Sequence, residues 1–252
     1  MSGAGKKKQT GIFFWIIVIV LLCVIGFSLY KIGTIAYGYL QGRQAYTKIA
    51  EEAGADEGAE TGKDDVEVDF DNIRDKYTDV KAWIYSKGTI VNYPVAQGRD
   101  NDWYLHHTLD GKWNGAGTLF IDQNNDKPFE DFLTIIYGHH MRDGSMFGSL
   151  VKYRDEEYYR KHRKLRLYTP EQKYDLAVIG VSTIPATSEM YKYDFDDSAE
   201  KEEYIGWIEQ STETKCEEHA GPDDRIVMLS TCTYEFNDAR LVVFCKLMPD
   251  NE

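Results

Sequence analysis

Ile226-Val227-Met228-Leu229-Ser230-Thr231-Cys232, a polar loop over residues 233–239, and Arg240-Leu241-Val242-Val243-Phe244 read as one β-hairpin. Apolar, β-branched runs flank the loop, so the second strand is expected to return antiparallel to the first. A register that sets Cys232 opposite Arg240 puts both side chains on one face with Cβ atoms about 5 Å apart. The same register carries Cys245 to Val227, which removes it as a disulfide partner for Cys232. A thiol reacts as its thiolate and needs a base or a cation nearby to hold that state. The matched arginine therefore makes Cys232 a candidate nucleophile, where a lone cysteine is more often a small apolar filler.

A base has to come from one of six histidines. His139 follows the apolar run Thr134-Ile135-Ile136-Tyr137 and a glycine, a strand end of the kind that presents catalytic groups to a groove. His140, by strand alternation, is expected to project the other way. Metal chemistry is not expected, because the adjacent pairs His106-His107 and His139-His140 point to opposite faces of a strand and no carboxylate stands at a recognised ligand spacing. The acidic stretch 194–203 reads as the start of a solvated helix before it reads as a calcium loop. No cofactor motif is present.

The net charge of −13 argues against a nucleic-acid partner. Basic residues cluster only at Lys6-Lys7-Lys8 and in Arg160-Lys161-His162-Arg163-Lys164, and the second run reads as a helix face in water. Residues 12–30 are nineteen uncharged residues, which at 1.5 Å rise just cross a hydrocarbon core of about 30 Å. They end in Ser28-Leu29-Tyr30-Lys31 rather than a small-residue cleavage site, so a retained anchor is expected. The lysines before it favour a cytoplasmic N-terminus and place the rest outside the cell. Of the four cysteines Cys23 falls in the span, and the odd number outside it leaves at least one thiol free. The expected organisation is a cytoplasmic N-terminus (1–11), a transmembrane anchor (12–30), a stalk and flexible acidic linker (31–65), and one extracellular catalytic domain (66–252).

Within that domain, short apolar runs broken by Gly, Asn and Asp predict strands near residues 80–85, 89–93, 117–122, 133–137, 164–168, 174–182, 226–230 and 240–247. Helical spacing is confined to stretches within 66–77, at 102–107, 146–150 and 156–162, and most clearly at 198–211. Many strands and few helices favour a closed or nearly closed β-barrel decorated by helices.

Met228-Leu229-Ser230-Thr231-Cys232, with a later Arg on the next strand and an earlier Gly-His, resembles the Thr-Leu-x-Thr-Cys signature of the sortases, the cysteine transpeptidases of Gram-positive cell walls. Met228 replaces the first Thr. The stretches Ala82-Trp83-Ile84, Tyr93-Pro94-Val95, Asp100 to Leu105, Ile136 to Met141 and Ser145-Met146-Phe147 are similar to class B. Pilin-polymerising members usually carry an N-terminal lid and a second membrane helix, neither of which is read here. The resemblance implies a mainly β fold with helices: the eight-stranded sortase barrel, with N-terminal helices, a helix before the last strands and one preceding transmembrane helix.

It further implies that Cys232 attacks a C-terminal sorting signal, Asn-Pro-x-Thr-Asn-like or [Ser/Pro]-Pro-x-Thr-Gly-like, on a secreted protein. The protein is then transferred to a peptidoglycan amine. His139 is implied as proton donor and acceptor, and Arg240 with the Thr233 amide as partners of the oxyanion. Asn101, Leu105, Tyr137 and Ser230 are implied to line the signal-peptide site. The alternatives are a cysteine peptidase or transpeptidase acting on peptidoglycan itself, a pilin-related sortase, and a stalked adhesin. The first usually holds its His and Cys within a few residues of each other, unlike His139 and Cys232.

Overall fold

The computed structural model describes residues 6–55, 65–233 and 235–250, with side chains from Gly11 onward. One helix, α1 (Lys6–Glu52), opens the chain, which divides into two compact units, one up to Gln41 and one from Gly42. In the first unit a proline-free apolar run makes a helix that is long and apolar enough to cross a membrane, its side chains facing outward with almost no burial. Residues 56–64, within the expected linker, lie outside the described residues.

The second unit takes in the last turns of α1. Tyr46, Ile49 and Ala50 are buried, as are Ala53 and Ala55 after them. The Tyr46 hydroxyl donates to the Gly117 carbonyl and lies 3.1 Å from Thr118 Oγ1. Helix α2 (Phe70–Lys76) is capped by Asp69, whose side chain accepts the Asn72 amide at 3.0 Å. It is tied back to α1 by Asn72 Nδ2 donating to the Glu52 carbonyl at 2.6 Å.

Eight strands follow: β1 (Val80–Tyr85), β2 (Asn92–Ala96), β3 (Leu119–Ile121), β4 (Leu133–Tyr137), β5 (Lys164–Tyr168), β6 (Lys173–Pro185), β7 (Arg225–Cys232) and β8 (Ala239–Pro249). They close a barrel in the order β1-β2-β3-β4-β7-β8-β6-β5. All pairs are antiparallel except β2 with β3 and β4 with β7, which are parallel. The expected hairpin is present in the expected register, with Cys232 opposite Arg240 and Val227 opposite Cys245. The second strand starts later than its apolar run suggests. Ser86 N–H bonds the Val91 carbonyl and Thr89 N–H the Ser86 carbonyl, so residues 86–91 form the turn.

Short helices fill the connections: α3 (Trp103–His106), a 3₁₀ helix (Gly148–Arg154), α4 (Glu156–Lys161) and α5 (Ser198–Ser211). The acidic stretch before and within α5 is cap chemistry. Asp197 accepts the Glu200 amide at 3.0 Å, and Glu200 in turn accepts the Asp196 amide at 2.9 Å. The basic run around residue 160 is neutralised in place by Glu156, Glu157, Glu217 and Asp175.

Alternation divides the β4–β7–β8 wall into two faces. Ile136, Val227, Leu229, Leu241, Val243 and Cys245 point into the barrel core. Leu133, Ile135, Ile226, Met228, Val242 and Phe244 point outward, where Tyr204, Ile205 and Ile208 of α5 cover them. Beyond the reach of α5 the outward face stays open.

Gly117 sits at φ +57°, and a Cβ there would collide with the carbonyl oxygens of Tyr104 and Leu105. Gly117→Ala is therefore expected to lower stability in urea by about 2 kcal/mol or more. A loss below about 0.5 kcal/mol would show that the 104–118 connection is looser than described.

Candidate active site

The open end of that outward face holds the candidate site. Because β4 and β7 run parallel, with Tyr137 paired to Ser230, both strands deliver their carboxyl ends to the same rim of the barrel. Gly138 N–H continues the pairing by donating to the Ser230 carbonyl at 3.0 Å. A side chain at Gly138 would meet Leu119 and Phe147, so only glycine lets the chain turn here. His139 follows on β4's side, Cys232 ends β7, and β8 brings Arg240 from the other flank. All three line one cleft of about 350 Å³. Asn101, Leu105, Tyr137 and Ser230 line it too.

His139 is held from outside the strand pair. Its Nε2 donates to the Leu105 carbonyl at 2.6 Å, since a carbonyl can only accept. The proton on Nε2 leaves Nδ1 as the nitrogen free to exchange one in the neutral ring. Burial lowers the pKa of the imidazole below the ordinary histidine value; the Leu105 carbonyl opposes this and the ring of His106, 6.0 Å away, adds to it. The Arg240 guanidinium donates one hydrogen bond to its neighbour's carbonyl, Ala239 O, at 3.1 Å.

Thr233 does not join the cleft. Its amide, expected beside the oxyanion, donates to the Ala239 carbonyl at 3.0 Å and closes the hairpin. Its hydroxyl goes to Glu235, which Arg154 clamps from the 3₁₀ helix. These two hydrogen bonds, that of Thr233 first, pull the Glu235 carboxyl down to about 2. His140 is not among the residues that line the cleft. Strand β4 ends at Tyr137, so alternation no longer governs residue 140, and the His140 ring turns back to place Nδ1 2.6 Å from the Cys232 carbonyl.

Three cleft residues escape the sequence reading. Asp122, fully buried at the end of β3, accepts from Tyr137 Oη and Tyr193 Oη at 2.8 Å each and from Asn101 Nδ2 at 3.0 Å. Its other oxygen takes the Asn124 amide at 2.8 Å. Tyr191 lies 2.8 Å from Ser230 Oγ through its hydroxyl and stacks on Tyr137. Burial, helped by Asp122, raises the Tyr137 hydroxyl far above its usual range, and burial pushes Tyr191 up to about 12. Both phenols therefore stay protonated, and Tyr137 donates to Asp122. The only local signal for this network was a carboxylate closing a buried strand and the Tyr191-Lys192-Tyr193 alternation in an otherwise featureless connection.

The four cysteines are all unpaired. Cys245, inside the barrel, has its thiol pushed well up by burial, and Cys216 rises to about 11 for the same reason. Neither is a nucleophile at neutral pH, which leaves Cys232 as the thiol of the cleft. Among the described residues no group of three or more His, Cys, Asp or Glu side chains is arranged to hold a metal ion.

Residues 86–248 match the sortase domain family. Sortase B of Listeria monocytogenes is 32% identical over 172 residues, 68% of this chain and 70% of that protein. Sortase B of Staphylococcus aureus is 28% identical over 181 residues, 71% of this chain and 74% of that protein. Among solved structures, sortase B from Bacillus anthracis in complex with AAEK1 superposes with a TM-score of 0.73 at 32% identity, covering 85% of this chain and 99% of that one. The Staphylococcus aureus sortase B–substrate complex gives 0.74 at 26% identity, covering 83% and 97%. With the closed eight-stranded barrel and its cysteine-bearing cleft, these likenesses make the chain a member of the sortase family, in its class B group of cysteine transpeptidases.

Proposed function

We propose that Cys232 is the nucleophile, His139 the proton donor and acceptor, and Arg240 the partner of the oxyanion. The carrying observation is that Cys232 stands opposite Arg240 across the β7–β8 pair in the cleft that His139 also lines. The Cys232 thiolate attacks the carbonyl after Thr in a C-terminal sorting signal, and the electron pair moves to oxygen. The C–N bond then breaks as the departing amine takes a proton from Nδ1 of protonated His139, leaving a thioester. An incoming amine attacks the thioester, gives its proton to Nδ1, and expels the thiolate. Arg240 faces each oxyanion with a charge that does not change during turnover, an interaction worth about 3–4 kcal/mol when preorganised.

Asn101, Leu105, Tyr137 and Ser230 hold the signal peptide, Leu105 as an apolar contact and the others through polar groups that Asp122 and Tyr191 orient. Thr233 has no part in this reading, because its amide and hydroxyl serve the hairpin. The signal is Asn-Pro-x-Thr-Asn-like or [Ser/Pro]-Pro-x-Thr-Gly-like, and the acceptor is a peptidoglycan amine. The apolar part of α1 anchors the chain in the cell membrane with its N-terminus cytoplasmic and the barrel outside.

Incubating the protein with a panel of both signal types, followed by intact-mass measurement, is expected to give an adduct on Cys232 that amines release. No adduct with any peptide, despite a thiol that alkylates readily, would contradict the reading. Cys232→Ala is expected to give no adduct at all. Arg240→Lys is expected to slow acylation by about a hundredfold, since a point charge cannot reproduce the planar fork; an unchanged rate would remove Arg240 from the oxyanion. The His139 ring signals in an NMR titration are expected to shift with a midpoint below 6.5, and a midpoint above it would mean that the ring is not buried against Leu105 in solution.

A further inference from the structure

Among the described residues of the barrel unit, Trp113 is the most exposed large apolar side chain at 73%, followed by Trp103 at 47%. Both lie on the connection between β2 and β3. Tryptophan is ordinarily well buried, so two rings held in water on one short segment mark a contact surface. The Trp103 indole stacks on the His107 ring at 3.8 Å and 5°, and His107 Nδ1 is fixed 2.8 Å from the Trp103 carbonyl. His107 and Trp113 form an antiparallel bridge, which sends their side chains out on the same face about 5 Å apart. The stacked pair and Trp113 are thus neighbours in one row of aromatic residues.

The scaffold beneath the row is stiff. Thr108 N–H bonds the Lys112 carbonyl at 2.9 Å, Asn114 N–H the His106 carbonyl at 2.8 Å, and the Thr118 hydroxyl the His107 carbonyl at 2.8 Å. Rings displayed on such a frame lose little freedom when they are covered. The row is also continuous with the cleft. It shares α3 with Leu105, whose carbonyl holds His139, and with His106, whose ring is 6.0 Å from that of His139. An amine that must hand its proton to His139 has α3 at its side as it arrives.

We propose that the row Trp103–His107–Trp113 is a docking site for the sugar rings of the acceptor, an N-acetylhexosamine laid with its C–H face on the indoles. This rests on the reading of the acceptor as a peptidoglycan amine. The chemistry favours a neutral sugar over an anionic lipid surface. Lys112, next to Trp113, is paired with Asp110 at 2.6 Å, and the chain as a whole carries −13.

The test uses the full chain in detergent micelles, acylated by a sorting-signal peptide and released by three acceptors: hydroxylamine, a free stem peptide, and the same stem peptide on its disaccharide. Trp113→Ala is expected to raise KM about tenfold for the disaccharide-linked acceptor and to leave acylation and the other two acceptors unchanged. Trp103→Ala should act in the same sense. Quenching of tryptophan fluorescence by N-acetylglucosamine oligomers, expected in the wild type and lost in the double variant, reads the same contact without catalysis. Equal KM values for all acceptors in the variants, or unchanged quenching, would overturn the proposal. So would tryptophan quenching by brominated lipids, with the full chain in vesicles, that falls in the Trp103→Ala/Trp113→Ala double variant while KM is unchanged, which would assign the rings to a lipid surface. A wild type that forms no adduct yet still shows the quench would contradict the acyl-transfer reading and leave the sugar site standing.

Discussion

The parallel pairing of β4 with β7 is the constraint on which the site depends. It joins segments some ninety residues apart in the chain and brings Tyr137-Gly138-His139 and Ser230-Thr231-Cys232 to one rim in one direction. A slip of one residue would turn Cys232 into the barrel and send Leu229 outward. The antiparallel return of β8 adds Arg240 from the opposite flank in a register fixed by the same alternation. Helix α5 completes the arrangement by covering the outward face up to the cleft and no further. The cleft is therefore an uncovered end of the outer wall, while the barrel interior is packed with side chains.

His139, the proposed base, is placed by a different route. His139 depends on the Leu105 carbonyl, and that carbonyl sits where it does because Gly117 allows the 104–118 connection to fold against itself. The Tyr46 hydroxyl, from the last turns of α1, fastens Gly117 in turn. The helix turns from Gly42 onward are thus part of the support of the site, three contacts removed from His139. Asp122 performs the comparable task for another part of the cleft, gathering Asn101, Tyr137 and Tyr193 on one oxygen.

Where structure is local, the sequence told it plainly. The β7–β8 hairpin and its register, with Cys232 opposite Arg240, follow from alternation, and the helix at residues 198–211 follows from its apolar face. Pairings between distant strands leave no such mark. Strand β4 is buried on both faces, so its run shows that it is a strand but not which neighbour it takes or in which direction. The donors spent inside the fold were equally hidden. Nothing in the order of residues said that the Thr233 amide would be consumed by Ala239, or that His140 would turn to the Cys232 carbonyl once β4 had ended. Asp122 looked like one polar strand end among several, and only the folded chain brings Tyr137 and Tyr193 to it.

The most direct test of the account is a crystal structure of the protein carrying a sorting-signal peptide trapped on Cys232 as a tetrahedral or thioester mimic. The predicted result has the Arg240 guanidinium within hydrogen-bond distance of the adduct oxygen, His139 Nε2 still on the Leu105 carbonyl, and the Thr233 amide still on Ala239. An adduct oxygen held by the Thr233 amide, with Arg240 turned away and the hairpin opened, would contradict it.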